Sequence, residues 1–415
     1  MFDAKFKQIK IFTLKNAVIF LGFIVHIALL IRYRSQMGDF GDFVKAGDLI
    51  WENTNPYTSL MYVNSPVSAV LAYGLNKILP FIFFPAFWQI LNIVGILAFF
   101  RLWLRKEVNS NLLLAIALLS FLNVTRALVA NVQVTGLVLG AFALGVLLAQ
   151  KGKSPFLVML PIWVAAEIKP QLALGLIVFF LFHQGIHFAR IAILTFYVFI
   201  SHLLIEIKYS GFIHSEWIEK VLNYSKTSLN EGYEVSYWKG IALSLGEIPA
   251  MKTISVLILI INLGFILYMS MKSHTNWAIF GALVLPFQNT YLHLYDLAPL
   301  GVLVILGALH YSNYSIVLLA ILFIQLFPMS LETQFIAVLI FVFIVLIKDF
   351  KLKNMIKNLA AYTFVLLIGY LSATLLDNRS EEVQIIFSLV FPSMLLLFIN
   401  ARKFANLFEL GSISR

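Results

Sequence analysis

Residues 11–57 read IFTLKNAVIFLGFIVHIALLIRYRSQMGDFGDFVKAGDLIWENTNPY. The first half is an apolar run of about 20 residues, the length a helix needs to cross the hydrocarbon core of a bilayer. It is too long for the core of a typical signal peptide and lacks a small-residue cleavage site, so it reads as a retained span. The second half gathers Asp39, Asp42, Asp48 and Glu52 directly after that span.

The chain beyond this stretch is composed like its first half. Of 415 residues, 61% are hydrophobic, 12% are charged and 38 are Phe; mean hydropathy is +0.91. A soluble domain is about half apolar and about a quarter charged. The expected fold is therefore all-α: a polytopic transmembrane helical bundle forming one integral-membrane domain over 1–415. Apolar runs place about 14 spans, at 12–31, 82–104, 110–123, 131–150, 154–168, 170–184, 188–206, 250–271, 275–292, 296–311, 314–331, 333–347, 358–376 and 380–400. Several are short and paired across a polar residue or a proline, as in EIKPQ at 167–171. A short span is tolerated where its end lies inside the bundle beside a wet cavity. The run 66–79, PVSAVLAYGLNKIL, is too short to cross and is bracketed by Pro66 and Pro80. It reads as a helix lying in the interface.

Charge orients this map. The chain carries 30 Lys and Arg against 20 acids, a formal +10. The basic clusters RLWLRK, KGK and KDFKLKNMIK fall in short loops on one side, which the positive-inside rule makes cytoplasmic. Both termini are then inside, and the long polar segments 32–81 and 207–249 are outer loops. Most of the acids fall outside, and acids contribute little to insertion, so their position calls for another cause. Lys15 lies within the first span. With no cysteine there is neither a disulfide nor a thiolate metal site. The inner side has no GxxxxGK[ST] and no GxGxxG after a strand, and no internal repeat stands out. Neither a nucleic-acid partner nor a cofactor is expected, since the positive-inside rule accounts for the basic balance.

Charges at a membrane edge are costly and mark function by default. Arg126, Glu167, Lys169, His293 and Asp296 gather at outer helix ends, on the side of Asp39 and Asp42. Carboxylates, cations and a histidine at one face are what displacement of a sugar's phosphate leaving group needs. A carboxylate takes the proton of the attacking hydroxyl, and cations hold the departing phosphate. Each residue also has a plainer reading. Asp39 and Asp42 equally fit solvated acids at a helix start. An Asp pair three apart can touch a divalent cation, but two carboxylates without a third ligand do not make a metal site. Lys169 and Arg126 also fit snorkelling to the interface, or for Lys169 a pair with Glu167. His293 fits a packed interfacial histidine, and Pro56, Tyr57 and Tyr62 fit a turn and an aromatic belt.

Taken in order, these stretches resemble the integral-membrane glycosyltransferases of the GT-C superfamily, and most of all glycosyltransferase family 87, the polyprenyl-phosphate-mannose-dependent mannosyltransferases. The first-loop pattern of that family stands here as Asp39, Phe43, Ala46, Asn55-Pro56-Tyr57, and Tyr62 through Pro66. ANVQVTGLVLGAFALG is similar to its Gly-Gln-x-Asn stretch, AAEIKPQLAL to its Lys-Pro element, and LPFQNTYLHLYDL to its Pro…His element. The resemblance covers about residues 10–310; the last four spans match only in being apolar. Phe43 stands for the usual Tyr, Asn131-Val-Gln133-Val for Gly-Gln-x-Asn, and Ser65-Pro66 for Pro-Pro.

The resemblance implies an inverting transferase of the cell (inner) membrane with its site facing outward. The donor would be a polyprenyl-phosphate sugar, hexosyl and by the habit of the family mannosyl; the acceptor would be a glycolipid or glycan. Asp39 matches the position of the catalytic base, with Asp42 the alternative. Lys169, Arg126 and His293 would hold the donor phosphate, and Asn55, Tyr57, Tyr62, Gln133 and Asp296 would line the substrate site. The aromatic segment within 207–249 fits an acceptor-side flap and, equally, an ordinary amphipathic loop. Two other functions share these features: a lipid-linked sugar flippase or other transporter, which calls for charges near the midplane and related halves, and a polysaccharide polymerase or ligase, for which Arg-rich outer loops are expected.

Overall fold

The computed structural model describes residues 2–33, 38–59, 62, 64–78, 84–120, 129, 134–209, 211–224, 249–288, 294–311, 316–317, 319–320 and 391–409. Among them the chain is helical throughout, with one isolated β-bridge between Leu104 and Phe408.

The order is α1 (Phe2–Arg32), α2 (Gly38–Trp51), α3 (Pro56–Ser59), α4 (Pro66–Ile78), α5 (Phe84–Trp103), α6 (Lys106–Asn109), α7 (Leu112–Ser120), α8 (Thr135–Gln150), α9 (Pro155–Ile168), α10 (Pro170–Phe182), α11 (Phe188–Tyr209), α12 (Ile213–Tyr224), α13 (Pro249–Met271), α14 (Thr275–Val284), α15 (Ala298–Tyr311), α16 (Phe391–Ile399) and α17 (Ala401–Ala405). Two 3-10 turns, Leu285–Gln288 and Leu294–Leu297, lie between α14 and α15. Helices answer the expected spans from 12–31 to 296–311, and the interfacial run 66–79 is the separate helix α4. The last four expected spans fall largely outside the described residues.

Among the described residues two helices are long and apolar enough to cross a membrane, over Lys15–Arg32 and Phe188–Tyr209, and seven further apolar helices have 10–17 residues. This is a smaller number than the expected bundle of about 14 spans. The second of the long helices runs past the expected end at 206 to Tyr209, and α12 takes up the start of the expected outer loop. Residues 225–248 of that loop lie outside the described residues.

Among the described residues five helices, α3, α4, α9, α10 and α13, start at an X-Pro pair, for one physical reason. Proline forces the preceding residue out of the helical region and supplies a pre-set first helical residue that needs no N–H partner. The residue ahead of it is then free to cap. Asn55 Oδ1 accepts from the Tyr57 N–H at 2.8 Å. Ser65 Oγ accepts from the Ser68 N–H at 3.1 Å. Ser154 caps α9 ahead of Pro155. At the fourth start, Lys169 is extended (φ −153°, ψ 78°), closes α9 and opens α10 at Pro170.

Small residues let the helices approach closely. A Cβ on Gly136 would lie 1.9 Å from the Asn92 carbonyl oxygen, and one on Gly95 equally close to that of Gly136. The α5–α8 crossing therefore depends on bare backbone, as small-xxx-small contacts between membrane helices do. This contact brings the Asn92 side chain over the start of α8, where its Oδ1 accepts from the N–H groups of Gly136 (2.8 Å) and Leu137 (3.2 Å). Lys15, the charge within the first span, reaches the turn before α7, where it donates to the Ser110 carbonyl and to Asn111 Oδ1.

The segment that follows α1 has a core of its own. Phe40, Phe43, Ala46 and Ile50 of α2 pack with Tyr57, Tyr62, Val67, Ala69 and Ala72, and this cluster continues into Ala165, Ile168 and Leu172 at the α9–α10 junction and Ile205 of α11. Phe43 meets Tyr62 edge-on at 5.3 Å and Phe40 meets Trp88 at 4.5 Å. Burying one such side chain contributes about 1.5–3 kcal/mol. The loop thus folds down onto the bundle, and α2, α3 and α4 sit over the helix break at Lys169.

Candidate functional site

Beneath α2–α4, the α9–α10 break presents two charges. Glu167 is in the last turn of α9 and Lys169 immediately precedes α10. Glu167 is at the partly negative C-terminus of α9, an unfavourable place for a carboxylate, whereas Lys169 is at once the C-cap of α9 and the N-cap of α10, where the two helix dipoles offset. Both side chains are buried. Burial of both charges at this break calls for partners.

Each charge has a partner brought by a distant element. Lys169 Nζ pairs with Asp296 Oδ1. Asp296 lies in the 3-10 turn ahead of α15, a favourable place for a carboxylate. Thr135, the first residue of α8, donates to the same Oδ1 at 3.4 Å, so the Asn92 cap of α8 also sets this contact. Asp296 Oδ2 is buried with no hydrogen-bond partner among the described residues. Glu167 does not pair with Lys169. Its Oε2 accepts from Ser65 Oγ at 2.9 Å, and its Oε1 meets His202 Nε2 at 3.2 Å.

The first-loop aromatics hold this arrangement from above. Tyr62 OH donates to the Ser65 carbonyl at 2.8 Å and lies 2.9 Å from Ser68 Oγ. Tyr57 OH donates to the Asn64 carbonyl at 3.1 Å. Asn55, Tyr57 and Tyr62, expected at the substrate site, thus shape the loop packed over the α9–α10 break, and burial raises the phenol pKa of Tyr57 and Tyr62. Asp39 is the second residue of α2, just after Gly38 (φ 47°). Asp42 is half-buried one turn on; burial raises its carboxyl pKa and Lys45 partly offsets this.

Of the expected site residues, the structure brings Lys169 and Asp296 together and packs Tyr57 and Tyr62 close by. Arg126, Gln133, His293 and the Asp39 side chain lie outside the described residues. Sequence reasoning missed Ser65 as a ligand of Glu167, and also Thr135, His202, Glu206 and His214. One signal was present: His202 and Glu206 stand four apart near the end of an apolar helix, where ionisable groups are rare.

A cavity lined by His26, Gln89, Asn92, Ser120 and Val129 lies between α1, α5 and α7. His26 Nε2, on its wall, is buried without a hydrogen-bond partner among the described residues. No three His, Asp or Glu side chains among the described residues are arranged to hold a metal ion.

Comparison with protein-family models, curated proteins and solved structures gives no match.

Proposed function

We propose that this chain is an inverting membrane glycosyltransferase, a multi-pass bundle of GT-C type with about 14 spans that resembles glycosyltransferase family 87. It moves a hexosyl residue, by the habit of that family mannosyl, from a polyprenyl-phosphate donor to a lipid or glycan acceptor on the outer face. The observation that carries this reading is the buried Lys169–Asp296 pair at a helix break covered by the first-loop helices. A fold that needs only stability has little use for it, because burying an ion pair is often no better than burying apolar side chains of the same volume.

In this reading the acceptor hydroxyl gives its proton to Asp39. Its oxygen attacks the anomeric carbon from the face opposite the phosphate, and the sugar–oxygen bond to phosphate breaks with its electrons going to phosphate. Lys169 is oriented by Asp296 toward the phosphate oxygens, joined by Arg126 and His293. Donors fixed where charge develops act without reorganising, the usual source of large rate effects. The donor lipid tail needs a hydrocarbon surface. Phe20 and Phe23 on α1, Phe199 and Ile207 on α11 and Ile261 on α13 are all exposed, a surface suited to lipid and unsuited to water.

The test is incubation of the purified protein with labelled polyprenyl-phosphate sugars and a cell lipid extract. Label should move to a new lipid or glycan product, and the K169M variant should not move it. No transfer from any such donor overturns the reading. One observation favours a transporter: short helices broken at a charged residue also build transporter sites. In vesicles, a transporter would carry the labelled donor across without forming product.

A further inference from the structure

Glu167 heads a chain of contacts that glycosyl transfer as proposed does not use. Its Oε1 meets His202 Nε2. The other nitrogen of that ring, Nδ1, meets His214 Nε2, and His214 Nδ1 meets Glu206 Oε2. Every ring nitrogen of both histidines is therefore engaged, and each end of the chain is a carboxylate. The four side chains come from α9, α11 and α12. Exposure rises along the row, from 5% at Glu167 through 22% at His202 and 23% at His214 to 31% at Glu206. Trp217 stacks on His202 at 6.2 Å and covers one face of the row.

Proton counting constrains what such a row holds. Each of its three contacts joins two acceptors unless one of them carries a proton, so all three form only with three protons. Two neutral imidazoles bring two of these. The third is held as an imidazolium or as a carboxylic acid, and the row as a whole carries a single negative charge.

We propose that Glu167, His202, His214 and Glu206 form a proton path between the buried Glu167 carboxylate and the aqueous face at Glu206. A proton entering at Glu206 passes to His214 Nδ1, that of His214 Nε2 passes to His202 Nδ1, and that of His202 Nε2 passes to Glu167. Only O–H and N–H bonds form and break, and both rings exchange tautomers. Run in reverse, the same hops carry a proton out. The path stands apart from the proposed function, in which the acceptor's proton goes to Asp39.

The surroundings hold few other charges. From α9, Lys169 is committed to Asp296. From α4, Ser65 donates to Glu167, and Ser68 lies behind it. On α11, Lys208 turns away to the Trp51 carbonyl and ring. On α12, Glu216 is hydrogen-bonded to Tyr209 and lies near Tyr57.

The test is 15N NMR of the ring nitrogens of His202 and His214, with labelled histidine and the full chain in lipid nanodiscs, assigned through the H202Q and H214Q variants. The two rings should show linked tautomers, and H214Q or E206Q should change the tautomer balance read at the His202 ring nitrogens. If each ring holds its own tautomer, unmoved by the other substitutions, there is no path. One equivalent of added zinc that shifts both rings, and is lost in H202Q, would replace the path with a metal site. Because E206Q and H214Q alter partly exposed groups, they keep the test open should H202Q not fold. No readout here depends on glycosyl transfer, so failure of that reading and failure of the path are separate results.

Discussion

Lys169 and Asp296 form an ion pair in which the two side chains are 7% and 1% exposed. Removing either partner takes the opposite charge away from a buried group. K169M and D296N should each lower stability by about 3–5 kcal/mol, the usual result of breaking a buried pair. The double variant should recover much of that loss, because neither charge is then left alone. Thermal unfolding of the protein in nanodiscs, followed by tryptophan fluorescence, measures this. If the pair serves phosphate binding, the recovered stability of the double variant comes without recovered transfer.

The α5–α8 contact predicts opposite outcomes at two glycines. G136A drives a methyl group into the Asn92 backbone, which cannot yield as a side-chain tip can. It should destabilise by about 1–3 kcal/mol, the cost of overpacking, and also disturb Thr135 and hence Asp296. G264A meets nothing within 4 Å and should be neutral or gain up to about 1 kcal/mol from helix propensity. Comparing the two melting temperatures decides it.

The helices were legible in the sequence because their signal is local: long apolar runs, and Pro ahead of α3, α4, α9 and α10. The separate helix at 66–78 could be set apart because Pro66 and Pro80 bracket it. In the site, Lys169 and Asp296 stood out as charges at helix ends. Their pairing was not legible, since it joins α10 to the turn before α15 and no spacing rule reaches that far. Glu167 shows the same limit. Its neighbour in sequence is Lys169, yet it bonds Ser65 and His202, because the Lys169 backbone is extended where α9 ends and the two side chains diverge.

Topology can be checked against a clean background, since the chain has no cysteine. Thr58, in the first loop, and Lys153, in the KGK turn after α8, are both exposed. T58C should react with an impermeant thiol reagent in intact cells, and K153C only after permeabilisation. The reverse pattern would turn the molecule over and move the proposed site to the cytoplasm.

Asp42 gives a pH-dependent prediction. Its folded pKa is raised from 3.8, chiefly by burial, with Lys45 opposing. Below 3.8 it is protonated in both states and does not affect the balance. As pH rises past 3.8, the unfolded chain loses its proton first, so folding is increasingly penalised until the raised folded value is passed. D42N removes this penalty. Its melting temperature relative to the wild type should therefore be higher at pH 7 than at pH 3.5; an equal difference at both would mean that Asp42 titrates normally.

The last prediction separates Asp39 from Asp42 as the base. Both lie in the first turns of α2, three residues apart and so roughly on one helix face. Asp39 fits the first-loop spacing to Phe43 and Ala46, and these two are buried in the loop's own core, so the turn of helix behind Asp39 is fixed by packing. Asp39 also follows Gly38, whose positive φ brings the chain into the helix. Asp42, whose carboxyl pKa burial raises with Lys45 partly offsetting, fits none of that first-loop spacing. D39N keeps size and most hydrogen bonding but cannot accept the proton. Transfer should fall by about 10²-fold or more, the scale of lost general-base catalysis, while donor binding stays close to that of the wild type. D42N should keep most of the activity. If D42N abolishes transfer and D39N is tolerated, the reactive carboxylate lies one helical turn further along α2, on the side of Lys45.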